Sequence, residues 1–180
     1  ISQAKTGLSA LALMRHLGVS YQTAWLVHHK LMEVMTAREE RYVLEGQVQI
    51  DDAYLGGERN GGTAGRGSEN KVPFIAAVSL TDAGRPVRAK LTPVATFSSE
   101  AVARWAKSNL AAGCTVLSDG LGCFRAVTGA GCSHEPVTIA GRKPKEMPEF
   151  QWVNTVLGNL KTSLSGCHHA FAFRKYAVRY

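Results

Sequence analysis

The sequence predicts an α/β fold, a mixed β-sheet flanked by helices and preceded by a helical segment. Three observations predict it. Strand-like apolar runs follow one another between Val48 and Val94, the tight turn Asp82-Ala83-Gly84-Arg85 joins the second run to the third, and helical and strand patterns alternate from Ser98 onward. A meander followed by alternation is the pattern of a sheet with both antiparallel and parallel pairs.

Residues 7 to 38 read as helices. Ser9 can cap a first helix from Ala10 to Leu17, Gly18 marks a turn, and Ser20 can cap a second helix through Ala24, Val27 and Leu31. Two helices joined at Gly18-Val19-Ser20 fit a helix-turn-helix. In that reading Tyr21, Gln22, Thr23, His28 and Lys30 face outward toward DNA, and Leu17, Ala24, Val27 and Leu31 pack inward. An ordinary helical hairpin is the alternative. Composition changes at Gly46, so residues 1–45 are expected to form the helical segment and 46–180 the main domain.

In the main domain, Val48 to Leu55, Phe74 to Leu80 and Pro86 to Val94 read as strands. The Gly-rich basic stretch from Glu58 to Lys71 lacks the order of a nucleotide-binding P-loop and reads as a hairpin loop, with a phosphate contact as its functional alternative. Ser98 or Ser99 caps a helix from Glu100 to Leu110. A short strand is expected at Thr115 to Leu117, a short helix near Phe124, a strand at Pro136 to Ile139, a basic linker from Arg142 to Pro148, and a long helix from Gln151 to Leu164. This order is that of the ribonuclease-H-like (integrase-like) fold, in which the first strand is central and the fourth lies beside it.

Bulk properties narrow the partner. Lys and Arg number 21 against 14 Asp and Glu, giving a net charge of +7 and a pI near 9.4, which favours a polyanion. No apolar run approaches the ~20 residues of a membrane span. Cys114, Cys123, Cys132 and Cys167 show no C-x-x-C spacing and are expected to be reduced thiols. The chain starts Ile1-Ser2-Gln3 and stops at Tyr180 inside an uncapped helical pattern, so truncation at both ends is expected. Trp25, Trp105 and Trp152 are expected in the core, and His134, His168 and His169 as packed or surface residues.

Chemistry is carried by four residues. Asp51 ends the run Val48-Gln49-Ile50, and Asp119 ends Thr115-Val116-Leu117-Ser118. Asn154 follows Asp119 by 35 positions, and Lys161 follows Asn154 by 7, two helical turns on nearly the same face. Singly, a strand-end Asp is a turn former, Asn154 a helix cap and Lys161 a solvated side chain. Jointly, Asp51, Asp119 and Asn154 would supply the oxygen ligands that hold two Mg²⁺ (or Mn²⁺) ions roughly 4 Å apart for phosphodiester chemistry. Asp51 would bridge both ions, Asp119 and Asn154 would each hold one, and Lys161 would neutralise phosphate charge.

This pattern resembles the DDE-type insertion-sequence transposases, and more closely their ISXO-two-like branch with its DD(N)K motif. The matching segments are Val48 to Gly57, Leu117-Ser118-Asp119-Gly120 and Trp152 to Lys161, with Gly166-Cys167-His168-His169 and Arg174-Lys175-Tyr176 also fitting. Two departures stand out. Relatives commonly carry Glu where Asp52 stands, which leaves Asp51 as the expected ligand. The N-terminal zinc ribbon frequent in the family is absent from this sequence.

The resemblance implies a Mg-dependent polynucleotidyl transferase that cleaves transposon ends and joins them to target DNA. It further implies a bacterial, cytoplasmic and nucleoid-associated protein that assembles as a homo-oligomer on DNA. A nuclease that only hydrolyses, a non-catalytic helix-turn-helix DNA-binding protein and an inactive transposase remnant are the rival readings.

Overall fold

The computed structural model describes residues 7–56, 71–137 and 147–167. The basic Gly-rich stretch after Glu58, most of the expected linker, His168, His169 and the segment Arg174-Lys175-Tyr176 lie outside the described residues.

Two helices come first, α1 (Ala10–Leu17) and α2 (Tyr21–Glu39). The Ser9 hydroxyl accepts the Ala12 N–H at 3.2 Å, and the Ser20 hydroxyl accepts the Thr23 N–H at 3.2 Å. Each cap satisfies an amide that the first helical turn leaves without a partner. Gly18 closes α1 at φ 66°, a left-handed conformation that favours glycine, as expected of a turn.

The main domain is a five-stranded sheet ordered β3-β2-β1-β4-β5, with β1 (Gln47–Leu55) at its centre. Strands β2 (Val72–Leu80) and β3 (Pro86–Pro93) continue antiparallel from β1, while β4 (Thr115–Ser118) and β5 (Ser133–Pro136) run parallel to it. The first strand is central and the fourth is its neighbour, so the mixed sheet and flanking helices agree with the ribonuclease-H-like expectation.

Alternate residues of β1 point to opposite faces. Val48 and Ile50 join an apolar cluster with Val102, Trp105 and Ala106 of α3 (Ser99–Asn109) and with Phe124 and Val127 of the 3₁₀ helix Gly122–Ala130. Leu55 joins the opposite cluster with Ala76 and Val78 of β2 and with Val153, Leu157 and Leu164 of α4 (Gln151–Cys167). Burying both faces of the sheet removes its apolar area from water, the main stabilising term of such a domain.

Several expectations are corrected. The fifth strand is described at Ser133–Pro136 and meets the expected run from Pro136 to Ile139 only at Pro136, with Thr138 and Ile139 outside the described residues. It is an edge strand with mostly exposed side chains, so hydrophobicity did not mark it. Strand β1 runs to Leu55 as expected, so Asp51 ends only the apolar run Val48-Gln49-Ile50 and lies inside the strand rather than at its end.

In α2, His28 is buried rather than outward, while Leu17 at the end of α1 and Leu31 in α2 are exposed rather than packed. α1 has 8 residues, about 12 Å of helix, and can cover only about two turns of the 19-residue α2. The covered stripe is Ala24 and His28, one turn apart, and Leu31 lies beyond it. Trp25, next to Ala24 but off the covered stripe, is exposed and lies tilted against His29 with ring centroids 4.0 Å apart, while Trp105 is buried as expected.

None of the four cysteines forms a disulfide, and burial pushes the Cys114 and Cys132 thiols above their ordinary range. Among the described residues no helix is long and apolar enough to cross a membrane.

Candidate metal centre

The centre forms where β1 outruns β4. Strand β4 pairs with β1 through Gln47↔Thr115, Val48↔Val116 and Gln49↔Leu117. Continuing that parallel register by two residues brings Asp119, just past β4, level with Asp51. Adjacent strand residues normally face opposite sides of a sheet. Here the edge of β1 that β4 leaves uncovered gives Asp51 and Asp52 room to turn toward Asp119. Carboxylate oxygens of Asp51, Asp52 and Asp119 all lie within 4.8 Å of one another, and all three residues are half-buried.

The loop carrying Asp119 is held from both sides. Asp119 Oδ1 accepts the Leu121 N–H at 3.1 Å, and the Ser118 hydroxyl accepts the Gly120 N–H at 3.2 Å. Gly120 sits at φ 83°, where a side chain would strain the turn. The Ser118 Oγ, fully buried, also bonds His134 Nε2 of β5 at 2.8 Å. Burial, and then the Arg125 charge, hold the His134 imidazole below its ordinary value near 6.5. His134, read from sequence as a packed or surface residue, thus braces the Asp119 turn through Ser118.

Asn154 and Lys161 ride on α4. Its first turn is docked on β1 by the Gln49 side chain, whose Oε1 accepts the N–H groups of Trp152 and Val153, each at 3.1 Å. Trp152 Nε1 donates to the Gly84 carbonyl at 2.9 Å and ties the helix to the β2–β3 turn. Val153 is fully buried against the sheet, Asn154 next to it is half-buried, and Lys161 is exposed. Tyr21, Gln22, Thr23 and Lys30 are all exposed on α2, though Thr23 also shares its hydroxyl with the Ser20 cap at 3.0 Å.

Two residues escaped the sequence reading. Asp52 was set aside in favour of its neighbour, yet its carboxylate belongs to the cluster; the signal was the pair of consecutive acids in Ile50-Asp51-Asp52. Gln49 had no local signal, because its partners lie 103 and 104 residues away.

The donor set suits a hard divalent cation. Three carboxylates this close repel one another, and a Mg²⁺ or Mn²⁺ ion ligated by their oxygens would relieve that repulsion. Asp51, Asp52 and Asp119 are therefore the residues able to hold metal.

Comparison with known proteins agrees with this chemistry. No curated protein sequence matches the chain. The family model described as the ISXO2-like transposase domain matches residues 43–180, which contain the sheet, all three clustered aspartates, Asn154 and Lys161. A match over that span, on a sheet of this strand order, shows that the chain belongs to the ISXO2-like family of DDE transposases.

Proposed function

We propose that this chain is a DNA transposase core that cleaves insertion-sequence ends and joins them to target DNA. The observation that carries the reading is the convergence of three carboxylates within 4.8 Å where β4 ends beside the middle of β1. Asp51, Asp52 and Asp119, with the amide oxygen of Asn154, would hold the Mg²⁺ or Mn²⁺ ions of a two-metal site. Bound metal would supply Lewis acidity and lower the pKa of the attacking water or 3′-hydroxyl.

The chain's own residues orient the scissile phosphate. The Asp119 turn is fixed by its backbone bonds, and α4 is fixed by Gln49. Lys161, two turns beyond Asn154 and solvent-exposed, grips a phosphate near the cleaved strand end, since a cation cannot ligate Mg²⁺. Cleavage places a water oxygen on phosphorus and releases a 3′-hydroxyl. Joining places that 3′-oxygen on a target phosphorus and releases a target 3′-hydroxyl.

Residues 1–45 form the helix-turn-helix segment and use Tyr21, Gln22, Thr23 and Lys30 on DNA, while residues 46–180 form the catalytic domain. The net charge of +7 suits DNA as partner. The protein works as a homo-oligomer assembled on transposon ends, in the bacterial cytoplasm where the nucleoid lies.

A cleavage and strand-transfer assay on element-end DNA tests this. Asp51→Ala and Asp119→Ala should each lower Mg²⁺-dependent cleavage by roughly a thousand-fold or more, because ligands act as a unit, with DNA affinity nearly kept. Asn154→Ala should be impaired and Asn154→Asp active. Cleavage without joining would identify a nuclease. DNA binding by the parent with no cleavage would identify a binding protein or an inactive remnant.

A further inference from the structure

Gln49 is a buried polar side chain, 3% exposed, on the sheet face that carries the apolar cluster of Leu55, Ala76, Val153 and Leu157. A buried amide in such surroundings is costly unless it is bonded. Its Oε1 takes two N–H groups from the first turn of α4, those of Trp152 and Val153. A helix start leaves such amides without intrahelical partners, and a local Ser, Thr, Asn or Asp usually accepts them. Here the acceptor comes instead from the central strand. It stands two residues before Asp51, hence on the same face of β1, and the second of its donors immediately precedes Asn154.

We propose that Gln49 is the positioning residue of the metal centre: it fixes the height and rotation of α4 on β1 and so presents Asn154 to the aspartate cluster. This rests on the reading of Asn154 as a metal ligand. Apolar packing by Val153, Leu157 and Leu164 holds the helix on the sheet but tolerates sliding and rotation, because it is non-directional. Two hydrogen bonds to one oxygen do not tolerate either. An acceptor is what the position needs, so glutamate should substitute and a methionine of similar length should not.

The test is Mn²⁺ binding to the DNA-free protein, with amide hydrogen exchange at Trp152 and Val153 as a second readout. Gln49→Met should speed exchange at both amides and weaken Mn²⁺ binding by about tenfold, the scale at which residues behind metal ligands act. Gln49→Glu should restore slow exchange and bring Mn²⁺ affinity back to within a few-fold of the parent. Gln49→Asn, which withdraws the acceptor by one methylene, supplies the same comparison if the methionine variant does not fold.

Because Gln49 acts through Asn154, Gln49→Met combined with Asn154→Ala should bind Mn²⁺ no more weakly than Asn154→Ala alone. Parent-like Mn²⁺ affinity in Gln49→Met and Gln49→Asn, with Asn154→Ala weakened, would overturn the positioning role and leave the ligand reading standing. Parent-like affinity in Asn154→Ala would overturn the ligand reading, and the positioning role with it.

Discussion

The sheet domain and the α1–α2 hairpin are built on opposite terms. The centre of the sheet is covered on both faces, by α3 and the 3₁₀ helix on one side and α4 on the other. In the hairpin only Leu13, Ala24 and His28 are buried, while Leu17, Trp25, Leu26, Leu31, Val34 and Met35 stay exposed. One region brings three carboxylates within 4.8 Å of one another. The other is two helices that pack on each other, held by serine caps and one glycine turn. The candidate metal ligands lie in the first region, and the proposed DNA contacts Tyr21, Gln22, Thr23 and Lys30 lie in the second.

Truncating one leucine in each region should break the symmetry most visibly. Leu157→Ala, in the cluster under α4, should cost about 2–5 kcal/mol by opening a cavity. Leu31→Ala, on the exposed side of α2, should change stability by no more than about 0.5 kcal/mol, since little packing is lost and alanine favours helix. Urea denaturation of both variants checks this; equal losses would mean that the hairpin is packed as tightly as the sheet.

A smaller effect sharpens the DNA side. Lys30→Ala should lower the slope of log affinity against log salt by about one unit if Lys30 contacts a phosphate. Measured by DNA binding across a salt series, an unchanged slope would favour the plain helical hairpin. Cleavage of already bound DNA should change little in this variant, because Lys30 is remote in sequence from the aspartates and belongs to the other region.

The smallest effect lies in the brace behind Asp119. The folded His134 imidazole is held below its ordinary value near 6.5, so between those two values the unfolded chain binds more protons than the folded one. Stability from this group is therefore fully present above about pH 6.5 and is lost as pH falls through the window below it. Thermal melting from about pH 7.5 to about 5.5 should show a steeper acid loss in the parent than in His134→Gln. Parallel curves would remove His134 from the account.

How much of this was legible depends on the range of the interactions. Elements with dense local patterning were readable: the apolar run that opens β1, the serine caps at Ser9, Ser20 and Ser98, and the glycine at position 18. The strand order followed from the sequence of elements. Elements whose definition is non-local were misread. Strand β5 is marked by its pairing to β4, not by its own hydrophobicity. The buried stripe of α2 depends on the length of α1. At the site, the 35- and 7-residue spacings drew attention to Asp119, Asn154 and Lys161. The inclusion of Asp52 depends on where β4 stops, and the docking by Gln49 on a contact spanning more than a hundred residues.

The claim that the sheet domain is a metal centre independent of the hairpin is tested most directly by Mn²⁺ titration of the DNA-free protein. The account predicts that the parent and Lys30→Ala bind Mn²⁺ alike, while Asp51→Asn and Asp119→Asn each bind it at least about tenfold more weakly because a ligand charge is lost. Parent-like Mn²⁺ binding by Asp119→Asn, in a protein that still melts cooperatively, would contradict it.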